Sequence, residues 1–240
     1  MTDLTRTISS RLRAAIPCLT ACSVAALLGG TQSADAEIQL SFSLANHHAS
    51  ATDVTYDFGK GEGSNTETVG WDGENLKMPP NFGLRAVWWL EGKPNWGIGI
   101  DNVHTKIAAN PMPKDFKTLE FTDGINMITL TGNYRHLNET RWTPYVMAGV
   151  GITTPHVEAT SADGSSEMFQ YQYGGPAVQA TFGIDYEIND RWSVFGEGKL
   201  AQYWFDVDLE GDGTLQSDVF GYVFAVGVTY SLKDGFRFGL

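Results

Sequence analysis

From Tyr145 to Thr153 the sequence alternates without a break: Val146, Ala148, Val150 and Ile152 fall on one face, and Tyr145, Met147, Gly149, Gly151 and Thr153 on the other. A period of two is the signature of a β-strand whose faces meet different surroundings. The second face is small and mixed rather than charged, which points to a confined interior instead of open water. The strand begins just after Trp142, ends before Pro155 and hands over at once to His156 and Glu158.

Seven further stretches repeat the pattern. Glu37–Leu44 sets Ile38, Leu40, Phe42 and Leu44 against Gln39, Ser41 and Ser43, and Phe82–Leu90 sets Leu84, Ala86 and Trp88 against Gly83, Arg85, Val87 and Trp89. Trp96–His104, Ile125–His136, the run through Val178, Ala180, Phe182 and Ile184, Trp192–Trp204 and Val219–Leu232 complete the set. The connections alternate long and short. Residues 45–80, 105–124, 156–174 and 206–218 read as long polar loops, and 91–95, 137–141 and the Asn189-Asp190 region as tight turns. Proline is absent from strand interiors, where its missing N–H would break the ladder. Six of the seven Trp, all but Trp71, lie near strand ends, where an aromatic girdle would sit.

These features predict an all-β fold, an eight-stranded antiparallel transmembrane barrel of the outer-membrane type, with long external loops and short periplasmic turns. A soluble barrel or sandwich should carry charge on its outer face. Here the apolar faces carry almost none. Arg85, Asp101, Arg135, Asp185, Glu187, Glu197 and Lys199 share the opposite face, so the lumen is expected to be filled by paired charges. A lumen so narrow is no channel.

The first residues read as an export signal. Arg6, Arg11 and Arg13 precede a largely apolar run, Ala14–Gly30, and Ala34-Asp-Ala36 is a small-x-small cleavage site. Residues 1–36 are therefore expected to be removed, leaving a barrel at 37–232 and a short extension at 233–240. Leu19-Thr-Ala-Cys22 resembles a lipoprotein-attachment site, but the apolar Val24–Leu28 follows where polar residues are usual. Both cysteines, Cys18 and Cys22, lie in that leader, so a mature chain has no disulfide, thiolate metal site or Cys nucleophile. Loss of Asp3, Asp35 and three arginines moves the formal charge from −12 to −13. Such a chain has no electrostatic footprint for nucleic acid.

With the N-terminus periplasmic, odd-numbered strands end at the cell surface. That gathers His47, His48, His104 and His156 at one rim, with Asp123, Glu158 and Asp206 nearby. Imidazole and carboxylate from neighbouring strand ends could hold a divalent metal or exchange protons. His156, Glu158 and His104 are the candidates for catalysis, and His47, Asp123 and Asp206 for a metal. No ligand spacing on one element reinforces the metal, and ordinary loop residues would collect at the same rim. Asp208-Leu-Glu-Gly-Asp-Gly213 has a calcium-loop flavour but lacks the terminal acid, and reads as an acidic hairpin tip. Phosphate-loop, nucleophile-elbow and dinucleotide fingerprints are missing, so the sequence identifies no organic cofactor.

Pro144-Tyr-Val-Met-Ala-Gly-Val-Gly-Ile152, Pro155-His-Val-Glu158, Tyr171-Gln172 and Gly175-Pro-Ala-Val-Gln179 resemble segments of outer-membrane barrels assigned as lipid A oxidases. Trp71-Asp-Gly73, Met78-Pro-Pro80, Leu119-Glu-Phe-Thr-Asp-Gly124, Asn189-Asp-Arg-Trp-Ser-Val-Phe-Gly-Glu197 and Asp206-Val-Asp-Leu209 extend the resemblance over nearly all of 37–232. The resemblance implies an outer-membrane monomer that oxidises the proximal glucosamine of lipid A to 2-aminogluconate. It implies molecular oxygen as co-substrate, with hydrogen peroxide released. It brings no catalytic residue set. This chain departs from the family at its end, where Lys233–Leu240 follows Tyr230-Ser-Leu232. The alternative expectation is a non-catalytic surface barrel that binds a partner or supports the envelope.

Overall fold

The computed structural model describes residues 37–61, 63–75 and 77–232. The expected leader and the extension at 233–240 lie outside them. Fifteen strands follow in chain order: β1 (Glu37–Ala49), β2 (Thr52–Asp57), β3 (Asn65–Val69), β4 (Trp71–Asp72), β5 (Phe82–Leu90), β6 (Lys93–His104), β7 (Ile107–Ala109), β8 (Phe116–Phe121), β9 (Met127–Arg135), β10 (Trp142–Thr153), β11 (His156–Ser161), β12 (Glu167–Tyr171), β13 (Gly175–Glu187), β14 (Trp192–Asp208) and β15 (Thr214–Leu232).

Eight of them, β1-β5-β6-β9-β10-β13-β14-β15, pair antiparallel in that order, and β1 pairs with β15 to close the barrel. Closure removes the open edges that a bilayer would not tolerate. The alternation decides the faces. Leu40, Phe42, Leu84, Leu130, Val150, Phe182, Phe224 and Val226 point outward and are exposed, because only lipid can cover them. At the turn end, three Trp–Tyr pairs lie directly across neighbouring strands: Trp96–Tyr134, Trp142–Tyr186 and Trp192–Tyr230, with ring centroids 4.9, 4.6 and 4.8 Å apart. Trp192 and Trp204 both face outward on β14. At about 3.3 Å per residue and a tilt of about 40°, their separation spans about 30 Å of membrane normal, enough for the apolar band of an outer-membrane barrel. Trp89 leaves the expected girdle: it points into the lumen, 5% exposed, under the guanidinium of Arg135 at 4.0 Å.

Inside, most of the expected charges pair, while Asp185 accepts a hydrogen bond from Ser193 Oγ at 3.0 Å and Glu187 stays exposed at the turn end. Arg85 Nη2 donates to Glu197 at 2.6 Å and its Nε to Asp101 at 3.3 Å, Lys199 Nζ bonds Asp101, and Tyr145 Oη donates to Glu197 at 2.7 Å. Two cations thus face two anions in a nearly dry space. Arg135 forms a separate pair with Glu37 at 2.6 Å. A cavity of about 20 Å³ beside Arg85, Asn133 and Tyr145 holds roughly one water. The lumen is packed, as expected for eight strands.

The connections at the other end depart from expectation. Residues 45–80, 105–124, 156–174 and 206–218 are about half strand instead of loop throughout. β14 and β15 continue past the barrel as a hairpin paired to Asp208–Thr214, and β2 and β3 add to the upper part of β15. The Asp208–Gly213 segment is the expected hairpin tip, with Gly211 and Asp212 at positive φ. A second sheet, β12-β11-β8-β7-β4, stands over the same end. Its inner face supplies Ile107, Leu119, Phe121, Val157 and Ala159 to a core shared with Val54, Tyr56, Trp71, Tyr203, Phe205 and Leu215. The main hydrophobic core therefore sits in a cap over one mouth of the barrel. Burying that area offsets the cost of ordering segments that would otherwise be loops.

Candidate functional site

The outer face of the cap sheet carries the chemistry. On β11, Val157 and Ala159 enter the core, so period-two geometry turns His156 and Glu158 to the opposite face. β8 pairs beside it and places Glu120 directly across from Glu158. Just after β8 the chain turns through Thr122-Asp123-Gly124, where Gly124 takes φ +106. The Gly124 carbonyl accepts the His156 N–H at 2.9 Å, and this fixes Asp123 beside the imidazole.

His156 Nδ1 lies 3.2 Å from Glu158 Oε1 and 3.7 Å from Asp123 Oδ2. One ligand atom from each of the three residues falls within 4.8 Å of the others. The ring is buried, flanked in T-shaped contacts by Phe169 and Tyr171 at 4.5 and 4.7 Å, and its Nδ1 has no hydrogen-bond partner among the described residues. Tyr171 Oη donates to the Asp123 carbonyl at 2.9 Å and braces that turn. A buried nitrogen without a partner, aimed between two carboxylates, fits a bound cation. Mixed imidazole and carboxylate donors suit a transition metal such as zinc, manganese or iron better than calcium or magnesium.

Electrostatics point the same way. Burial, then the hydrogen bond and charge of Glu120, push the Glu158 carboxyl above the usual range, while Thr122 and His156 pull it down. Thr122 Oγ1 lies within 3.3 Å of both carboxylates, and Lys77 Nζ is 3.7 Å from Glu120. Like charges directly across strands destabilise a sheet. A carboxyl with a raised folded pKa favours the folded cap while it holds its proton. The contribution of Glu158 to cap stability is thus greatest in acid, falls as pH rises from the ordinary glutamate range towards the raised value, and then levels off. Glu120→Gln is expected to flatten that fall and to lower the Glu158 midpoint in carboxyl NMR. An unchanged midpoint would show that the two carboxyls do not interact.

Of the residues expected to act together, the fold unites Asp123, His156 and Glu158 and leaves three outside the group. His104 packs against Gly124, but Asn126 holds its Nδ1 at 2.9 Å and its ring stacks on Phe82 at 4.8 Å. A side chain at Gly124 would strike that ring, since a Cβ there lies 2.3 Å from it. His47 lies at this end but does not face its surface: β1 continues to Ala49, and His47 turns inward, fully buried against Lys106 and Tyr203. Asp206 faces out of β14, between the inward Phe205 and Val207, so the expected His47–Asp123–Asp206 grouping does not form. Glu120, Thr122, Phe169 and Tyr171 are the site residues that sequence reasoning passed over. The alternation Leu119-Glu120-Phe121 was the available signal for the first of them.

No protein-family model and no curated protein sequence matches this chain. Solved structures do. The outer membrane protein OprG from Pseudomonas aeruginosa superposes with a TM-score of 0.53 at 16% identity, covering 85% of this chain and 98% of that one. AlkL, determined by solid-state NMR in lipid bilayers, gives 0.48 at 12% identity over 88% and 97%. Neisserial surface protein A gives 0.44 at 12% over 83% and 99%. At these identities the OprG likeness establishes the fold alone. Together with the apolar belt, it makes the chain an outer-membrane β-barrel.

Proposed function

We propose that this barrel oxidises lipid A at the cell surface, converting the proximal glucosamine to 2-aminogluconate with molecular oxygen. The reading rests on the sequence resemblance over residues 37–232. The observation that carries it onto particular residues is the convergence of Asp123, His156 and Glu158 on the outer face of the cap. Outer-membrane barrels direct their long connections to the exterior, where lipid A occupies the leaflet.

The anomeric carbon of the sugar gives its hydrogen and two electrons to oxygen, the hydroxyl gives its proton by way of Glu158, and oxygen leaves with both as hydrogen peroxide. The resulting lactone takes up water and opens to the acid. Glu158, its proton affinity raised, is suited to accept the hydroxyl proton. His156 and Asp123 fix the position of the reacting oxygen. A divalent metal held by the three would polarise the sugar hydroxyl and offset the repulsion between an acidic protein and a phosphorylated lipid. The single chain suffices for this work.

A second reading, a non-catalytic surface barrel, is favoured by one feature: Asp123 is 51% exposed, so the group is open to water. The two separate in one assay. Refolded protein supplied with manganese, iron(II) or zinc, air and a lipid A whose anomeric hydroxyl is free should release peroxide and form the aminogluconate. Failure with every metal would leave the surface-protein reading.

A further inference from the structure

The lipid-facing wall has a depression on β6, β9, β10 and β13, two of which continue into the cap. Strand register aligns Ile98, Gly132, Ala148 and Ala180 in one row across β6, β9, β10 and β13, with Leu130, Val150 and Val178 in the row nearer the cap. Where other parts of the belt present Phe182 or Phe224, this row has small side chains at its centre. The result is an open groove of about 460 Å³. A Cβ at Gly132 would meet nothing within 4 Å, so packing of the barrel itself does not require the glycine.

The same strands lead from the groove to the site. β10 runs from Ala148 to Thr153 and passes through Pro155 into His156, and β12 descends through Tyr171 into β13 at Gly175. On β12 the rings of Phe169 and Tyr171 are 66% and 59% exposed beside His156. β12 is an edge strand of the cap sheet. Exposed aromatic rings next to three carboxylates offer an apolar surface and hydrogen-bond acceptors at once.

We propose that the groove and the Phe169–Tyr171 pair form one docking track for a glycolipid, an acylated amino sugar. Its acyl chain lies along Gly132 and Ala148, and its sugar ring stacks on Phe169 and Tyr171. At membrane depth only a lipid tail can fill an apolar groove open to the bilayer. At the cap, a pyranose has what the site complements: a C–H face for aromatic rings, and hydroxyl and amide donors for Glu158 and Asp123. A phospholipid headgroup has no such face. The sugar end of this assignment rests on the lipid A reading above, while the groove rests on register alone.

The test uses the refolded protein in detergent micelles, with lipid A and phosphatidylglycerol competing and bound lipid counted by native mass spectrometry. The wild type should retain one lipid A in preference. Gly132→Leu, Ala148→Leu and Phe169→Ala should each weaken that retention about ten-fold, about 1.4 kcal/mol, whereas Phe169→Tyr should keep it. Heat-modifiable gel migration confirms that each variant is folded, and the two groove variants stand in for each other. Equal retention of the two lipids by the wild type, or wild-type retention in the folded variants, would overturn the track. Two outcomes keep the failures apart. Selective lipid A binding without oxidation by the wild type removes the oxidase reading alone, and oxidation with wild-type KM in Gly132→Leu and Phe169→Ala removes the track alone.

Discussion

Arg85→Ala should destabilise the barrel by about 3–5 kcal/mol, the usual cost of removing one partner from a buried ion pair. Its guanidinium touches two buried lumenal anions, Glu197 at 2.6 Å and Asp101 at 3.3 Å, and all three side chains are 8% exposed or less. Lys199 bonds Asp101 and lies 3.9 Å from Glu197, so after the substitution one cation would serve two anions. Urea unfolding followed by tryptophan fluorescence measures the loss. Replacing all four charged residues by apolar ones of similar volume should cost less than the single change, because neither Asp101 nor Glu197 is then stranded. A single-variant loss below about 1 kcal/mol, the range of surface pairs, would mean that water reaches the network.

His156→Ala should lower oxidation of lipid A by at least about 100-fold, more than loss of a supporting partner of a metal ligand, and should abolish metal retention. The substitution removes the one nitrogen donor of the group and leaves Asp123 and Glu158 to repel each other. The fold should survive, because β11 is anchored from its other face by Val157, fully buried, and Ala159. Metal content, peroxide release and heat-modifiable migration are measured on one preparation. Retained turnover with an intact barrel would place the chemistry elsewhere.

The barrel was legible because each of its strands meets lipid on one side and a packed lumen on the other. Tyr145–Thr153 shows that contrast without interruption, and parity then fixes every neighbour. The cap was not. Strands as short as Ile107–Ala109 or Trp71–Asp72 are too brief for a period to emerge, and β4 pairs with β7 across many intervening residues. Their polar outer faces read as loop, although Leu119 and Phe121, and Val157 and Ala159, mark the buried side.

The site was half legible for the same reason. His156 and Glu158 share a face by their spacing, and Asp123 reaches them only because β8 pairs with β11, which no local pattern announces. His47 and Asp206 were expected in the wrong place because the strands run further than their clean alternation. Once β1 extends to Ala49 and β14 to Asp208, parity turns His47 inward and Asp206 outward.

Mass spectrometry of lipid A, from otherwise identical cells with and without this protein, tests the central claim most directly. Lipid A from cells that make the barrel should contain a species that has gained one oxygen on the proximal sugar, and that species should disappear with the protein and with His156→Ala. Identical lipid A from both cells, with the folded barrel present in the outer membrane, would contradict it.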